Sequence, residues 1–337
     1  MKIRIALVFT LIFGACAIAH AEWVKLPTRT FANLKDIFFQ DSKTGWIAGT
    51  DGTLLRTDDG GRTWQPVQKF TTDAILQIHF TDPSTGWMLC ERSVYSRGNN
   101  PTSYLRKTTD GGVHWNKIEF EDAGRERVTR ILFDRNGLGL AFGEGGIFYR
   151  LQEDGKTWKR SRAAIHFLLL DGAYSSGTNG AIVGAGGTIV FTQDSGLTWE
   201  QATILHETQT RINSVFFTTG KQGWAVGING SIFTATGSGR LWRLVPQAET
   251  TVTLNNVYFT SSREGYAAGN DGTILHTTDA GANWYLEKTR VSHNLNRIVF
   301  NGKLGFAVGF GGTILAKGPG FTTPQDAMPV ISSKTGE

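Results

Sequence analysis

The sequence predicts an all-β chain: a single seven-bladed β-propeller of four-stranded blades, closed into a ring by its N-terminal strand. Three observations carry this. A unit of about 42 residues recurs from Leu34 to Lys317. Each unit divides into four short apolar runs separated by Gly-rich turns. Trp23, before the first unit, falls on the same period. A repeat of about 40–50 residues matches one propeller blade. Repeats add units around one core, so 337 residues need not mean two domains.

Taken in order, residues 1–21 read as a signal peptide. Lys2 and Arg4 form a basic start, Ile5 to Phe13 an apolar stretch too short to span a bilayer comfortably, and Ala19-His20-Ala21 a cleavage signal. Cleavage before Glu22 is expected, with export of the mature chain. Phe13-Gly14-Ala15-Cys16 loosely resembles a lipid-attachment motif and is the alternative. The propeller is assigned to residues 22–318 and a flexible tail to 319–337.

The first unit, Leu34 to Val67, has four expected strands: DIFF, GWIAG, TLLRT and TWQPV. GWIAG returns as GWMLC, GLAFG, GAIVG, GWAVG, GYAAG and GFAVG. The units end on Trp64, Trp115, Trp158, Trp199, Trp242 and Trp284, and only the second unit is lengthened, by an insertion over Glu91 to Tyr104. The seventh unit ends at Lys317 without a Trp segment. Trp23 precedes Trp64 by one period, so residues 22–25 should supply that blade's outer strand and remove the free edge.

Composition narrows the function classes. Loss of Lys2 and Arg4 takes the formal charge from +5 to about +3, too mild for a dedicated nucleic-acid binder. Cleavage also removes Cys16 and leaves Cys90, so no internal disulfide is possible. The seven His show no metal-ligand spacing. The glycines follow the blade period rather than a strand-to-helix phosphate loop. No cofactor or metal is expected.

Thr57, Asp59, Gly61, Thr63 and Trp64 form an Asp-box, Ser/Thr-x-Asp-x-Gly-x-Thr-Trp, on the hairpin between third and fourth strands. It recurs as Asp110 with Trp115, Asp194 with Trp199, and Asp279 with Trp284. Glu153 and Gly237 hold the Asp position in two weaker copies. The boxes read as structural turn locks: the carboxylate accepts turn amides and the Trp packs on a neighbouring blade. One carboxylate per blade holds these groups apart, which argues against catalysis.

GTDGTLLRTDDGGRTW, LRKTTDGGVHW, GAGGTIVFTQDSGLTW, GNDGTILHTTDAGANW and GFGGTIL closely resemble the photosystem II stability/assembly factor family, over nearly the whole stretch from Trp23 to Lys317. That resemblance implies a non-catalytic lumenal or periplasmic propeller that binds a newly made membrane subunit or its exported segment. A monomer, with peripheral membrane association and no nucleic acid, fits it. The alternative is a sialidase-like or endoglucanase-like Asp-box hydrolase. No Arg-Ile-Pro segment is present, and a two-propeller cleft is lacking. No two catalytic carboxylates are expected to share a cleft.

Loops joining fourth to first strands and second to third strands share one face, opposite the Asp-boxes. Arg92, Arg97, Arg125, Arg127, Lys159, Arg160, Arg162, Arg211 and Arg290 fall there and form the candidate docking set for an acidic protein segment. One variable polar position per inner strand, Asp36, Gln77, Arg130, Asp171, Ser214, Asn256 and Arg297, is expected to line the central channel.

Overall fold

The computed structural model describes residues 22–95, 97–161, 165–205, 209–218, 222–246 and 250–321. The expected leader, Arg162 and residues 322–337 of the expected tail lie outside the described residues.

Seven sheets, antiparallel but for one added edge strand, follow one another along the chain as blades of a propeller. Blade 1 consists of Leu34–Phe39, Gly45–Gly49, Leu54–Thr57 and Gln65–Pro66, from the centre outward. Blades 2, 3, 4, 5 and 6 begin at Ala74, Val128, Leu169, Ile212 and Leu254. Blade 7 takes Leu295–Asn301, Leu304–Gly309 and Ile314–Lys317 from the C-terminal end, and Val24–Lys25 pairs antiparallel with Ile314–Lys317 as its outer strand. The ring is therefore closed by the N-terminal strand, as the position of Trp23 predicts. No described helix is long and apolar enough to cross a membrane.

The core lies between blades. The second strand of blade 1, Gly45–Gly49, is buried at every residue, and its counterparts in blades 3, 5 and 6 match it. Gly45 sits opposite Phe39, whose ring lies 2.7 Å from where a Cβ would be. The same pairing recurs for Gly86 with Phe80, Gly223 with Phe217, Gly265 with Phe259 and Gly305 with Phe300. A glycine here lets the aromatic fold across the sheet toward the preceding blade. Phe39 then meets Trp64 and Phe306, joining blades 1 and 7.

Three local features depart from the expected repeat. The outer strands of the Asp-box blades begin two residues later than TWQPV implies. Trp64, Trp115, Trp199 and Trp284 end the turns, and the strands Gln65–Pro66, Asn116–Ile118, Glu200–Gln201 and Tyr285–Glu287 follow them. Trp158 and Trp242, in the weaker copies, do lie within strands. Turn length separates the cases: Asp to Trp is five positions in the four full boxes and four in blade 3, where Asp154 likewise takes the amide just before Trp158, so the longer turn leaves its Trp outside the strand.

Every innermost strand also carries a bulge near its start, between Leu34 and Asp36 in blade 1 and at the matching place in the other six. The bulge puts an extra residue into the inner strand and re-aims the side chains beside it. Blade 5 has a fifth strand: Thr203–Leu205 runs parallel to Leu241–Leu244 along its outer edge. The chain leaving blade 4 thus runs along the outside of blade 5 before entering its centre.

Candidate functional site

The Asp-boxes are closed hydrogen-bond units. Asp59 Oδ1 accepts from Thr57 Oγ1 (2.7 Å) and the Thr63 amide (2.9 Å), and Oδ2 accepts from Thr63 Oγ1 (2.6 Å). Thr57 Oγ1 in turn accepts from the amide of Gly61, whose φ of 91° suits a residue without a side chain. Asp110, Asp194 and Asp279 repeat the pattern with His114, Thr198 and Asn283. The amide of His114, then the hydroxyl of Thr108 and the His114 ring, hold the Asp110 carboxyl well below the usual range. In blade 3 the role moves from Glu153 to Asp154, which accepts from Thr157 and the Lys156 amide and is lowered to about 2. Blade 5 dispenses with a carboxylate, turning at Gly237-Ser238-Gly239. Each carboxylate is thereby committed to its own turn.

The box tryptophans sit at the blade seams. Trp64 meets Phe306 of blade 7, Trp115 meets Trp46 of blade 1, and Trp199 meets Phe148 of blade 3. Trp284 packs on Phe259 of its own blade and joins a cluster with Trp224 of blade 5. Packing on a neighbouring blade thus holds for all four. Two of them also tie back to their own turns: Trp115 Nε1 donates to Gly112 O at 3.0 Å and Trp284 Nε1 to Gly281 O at 3.1 Å. Burial is uneven, complete only for Trp284, while Trp64, Trp115 and Trp199 are half-buried.

The bulges build two belts around the channel. The extra residue reaches the next blade: Thr129 Oγ1 donates to Leu169 O (2.6 Å), Asn213 Nδ2 to Leu254 O (2.8 Å), Asn255 Nδ2 to Leu295 O (2.8 Å) and Asn296 Nδ2 to Leu34 O (2.6 Å). The residue after it also reaches across. Asp36 Oδ2 accepts from the amide of Ile78, Gln77 Oε1 from Ile131, Asp171 Oδ2 from Val215 and Asn256 Oδ1 from Ile298. Ser214 donates to Asp171 and accepts from Asn256. Arg130 Nε stands 2.8 Å from Asp171 and Arg297 Nε 3.1 Å from Asp36, so the seven positions form a circle of contacts from blade to blade.

Within this ring Asp171, Asn256 and Arg297 border a central cavity of about 300 Å³, while Asp36, Gln77 and Ser214 are buried. Its wall comes two residues further on, from Phe38, His79, Ala173, Phe216, Tyr258 and Val299. His79 stacks on Phe133, and burial, with Arg130 and Arg297 nearby, brings its pKa down to about 4. Burial raises the Asp36 carboxyl, against the pull of Arg297 and Arg130. Asp36 and Asp171 both face Arg297, at 3.1 and 3.8 Å, but only Asp171 borders the cavity. Both are nearly inaccessible and held by amides, so they serve the blade contacts. Among the described residues no group of His, Cys, Asp and Glu is arranged to hold a metal ion.

On the loop face the blade 2 insertion folds against the lead-in to blade 3. The Thr102 amide donates to Gly124 O and Thr102 Oγ1 to Arg125 O, while Arg97 Nη1 donates to Thr102 Oγ1 (2.7 Å). Arg97, Arg125, Arg127 and Arg160 are thus gathered into one region. Arg127 lies 3.4 Å from Glu144 and 3.9 Å from Glu91, and Arg160 3.1 Å from Glu126. Those exposed pairs are weak. Arg125 and Lys159 are exposed without an ion-pair partner among the described residues. Arg92 is different: it is buried, stacks on Tyr104 and binds Glu119 and Pro101 O, so it holds the insertion in place. Arg211 is exposed on the lead-in to blade 5, and Arg290 pairs with Glu22 at 2.8 Å; the structure does not bring either into the blade 2–4 region.

The match to known proteins agrees with this architecture. The model of the family described as photosynthesis system II assembly factor YCF48 matches residues 15–72, 161–250 and 241–317. The photosystem II assembly protein Ycf48 of Synechococcus sp. (strain JA-3-3Ab) is 27% identical over 190 residues, covering 55% of this chain and 54% of that protein. The chain thus spans about half the length of that relative. The photosystem II assembly lipoprotein Ycf48 of Trichormus variabilis is 25% identical over 291 residues, covering 63% and 86%. A solved structure of Ycf48 bound to a D1 peptide has a TM-score of 0.71 at 24% identity, covering 89% of this chain and 96% of that one. Virginiamycin B lyase from Staphylococcus aureus, in a catalytically inactive form with quinupristin, has the same TM-score at 12% identity, covering 88% and 99%. At these identities the structural likeness is one of fold, and the fold is shared by an enzyme. Matched by the family model over more than half its length, the chain belongs to the photosystem II assembly factor Ycf48 family.

Proposed function

We propose that this chain is an exported, non-catalytic assembly factor, acting as a monomer, that holds an acidic exported segment of a membrane protein on its loop face. The observation that carries the reading is the gathering of Arg97, Arg125, Arg127 and Arg160 by the blade 2 insertion, with Arg125 and Lys159 left without a counter-ion among the described residues. Guanidinium groups suit paired contacts to carboxylates. The D1 peptide bound by the crystallised relative supports a polypeptide segment as the partner class. Relatives named lipoproteins support export, and they favour weighing lipid attachment at Cys16 beside cleavage before Glu22.

The non-catalytic part rests on how the carboxylates are used: every intact Asp-box Asp is bonded to its own turn, and Asp36 and Asp171 are bonded between blades. Charge reversal tests the docking face. Arg125→Glu with Arg127→Glu and Arg160→Glu is expected to abolish recovery of the membrane partner in pull-downs from the native envelope, with unchanged thermal unfolding. Undiminished recovery would overturn the site.

A further inference from the structure

A second basic groove lies on the outer flank between blades 7 and 1, away from the blade 2–4 region. Two adjoining hollows of about 200 and 270 Å³ share Thr28, Arg29 and Trp64. One runs past Leu54 and Leu55 to Lys69; the other ends at Arg62. No Asp or Glu lines either hollow. Arg29 and Lys69 are exposed and have no ion-pair partner among the described residues, while Arg62 is held by Asp59 O. Apolar floor and cationic rim thus follow the segment that leads from the ring closure to blade 1.

The groove runs up to two protruding aromatics on the loop face. Phe31 is 94% exposed, and Phe310 is 55% exposed on the adjoining turn of blade 7. The Gly312 amide donates to Ala32 O at 2.8 Å, which fixes that turn beside the segment carrying Phe31. Gly312 must be glycine for this approach: its φ is 69° and a Cβ would stand 1.9 Å from Thr30 O. The two rings are therefore presented on a rigid junction. Tyr95 and Phe167 are exposed on the same face.

We propose that this groove and its aromatic tip form a docking site for an anionic phospholipid surface, with headgroup phosphates between Arg29 and Lys69 and with Phe31 and Phe310 at the acyl boundary. The shape favours a bilayer over a protein. Phe31 projects from its loop almost fully exposed beside cations without ion-pair partners among the described residues, the combination of apolar tip and basic flank that an anionic bilayer surface takes. The cations lie beside and behind the tip, where phosphates would be when the rings are inserted. Docking here goes beyond partner binding, and orients the loop face toward the membrane from which a partner segment would emerge.

The test uses the chain from Glu22 onward, free of any lipid anchor, sedimented with phosphatidylglycerol-containing vesicles or with phosphatidylcholine vesicles. Sedimentation with the anionic vesicles alone, reversed by salt, is expected. Arg29→Glu with Lys69→Glu is expected to weaken it at least about tenfold, from roughly 1 kcal/mol per basic side chain at the surface. Phe31→Ser with Phe310→Ser is expected to weaken it similarly, with unchanged thermal unfolding in both. Equal sedimentation with both vesicle types, or groove variants that bind like the parent, would overturn the site. So would an equal loss in Arg125→Glu with Arg160→Glu, which would assign binding to diffuse surface charge.

Discussion

Replacing Trp23 by Ala is expected to lower stability by about 3–5 kcal/mol and to open the ring at its seam. Trp23 is 1% exposed and packs edge-on against Tyr266 of blade 6 and Phe300 of blade 7. Its Nε1 donates to Glu287 Oε2 at 2.6 Å. Glu287 also receives Lys317 Nζ at 2.6 and 2.7 Å and faces His276 Nδ1 at 3.1 Å, while the other side of His276 faces Glu264. Loss of the indole removes both a large buried surface and one donor from a carboxylate at the seam. Trp23→Phe should recover much of the packing and none of the hydrogen bond. Denaturant unfolding checks this; a loss below about 1 kcal/mol would mean that the N-terminal strand is dispensable.

The seam also carries an acid dependence. Burial pushes the Glu287 carboxyl up, but donors from His276, Lys317 and Trp23 outweigh it and bring the group from 4.5 to about 2. A carboxyl lowered in the folded state contributes stability above its unfolded value and loses it as pH falls through the folded one. The contribution is on the order of 3 kcal/mol. It should fade between pH 4.5 and about 2 in the parent, and Glu287→Gln should lack that part of the slope.

Arg297→Met is expected to have an effect of similar size, about 3–5 kcal/mol, because it removes one member of a buried charged cluster and leaves the rest. Arg297 bridges blade 7 to Asp36 of blade 1 and faces Asp171 of blade 4. Asp36 keeps the Ile78 amide and the pull of Arg130 afterward. Its carboxyl is already raised by burial, and loss of the guanidinium raises it further. A carboxyl raised in the folded state favours folding at low pH, so the deficit should shrink as pH is lowered. The double variant with Asp36→Asn should lose less than the single one. Additive losses would show that the two side chains act independently.

Much of this was legible in the sequence because a propeller repeats. Trp23 on the period located the closing strand, and the recurring Thr-x-Asp-x-Gly located the turn locks. The same motif misplaced the start of the outer strands, since Trp64, Trp115, Trp199 and Trp284 belong to the turns that the carboxylates hold. The inner belt was legible only as polar residues at one position; its bonds between blades depend on a bulge that no residue type announces. Asn213, Asn255 and Asn296 recur at one repeat position and were a usable signal for the second belt. The fifth strand of blade 5 was not, because Thr203–Leu205 pairs in parallel with a segment from another unit. The candidate docking cations were chosen by loop position, but Glu91, Glu119, Glu126 and Glu144 come from separate loops and strands, so their pairings emerge only in three dimensions. Arg92 shows the consequence: beside an insertion it reads as exposed, and the fold buries it under Tyr104.

The most direct test of partner binding is photo-crosslinking in the native envelope. A crosslinking residue is placed at Arg125 or Lys159 on the loop face, and at Val113 or Leu197, exposed on the Asp-box turns. A membrane-protein adduct from the first pair and not from the second is the predicted result. Adducts from the Asp-box positions alone, or none from the loop face, would contradict the assignment.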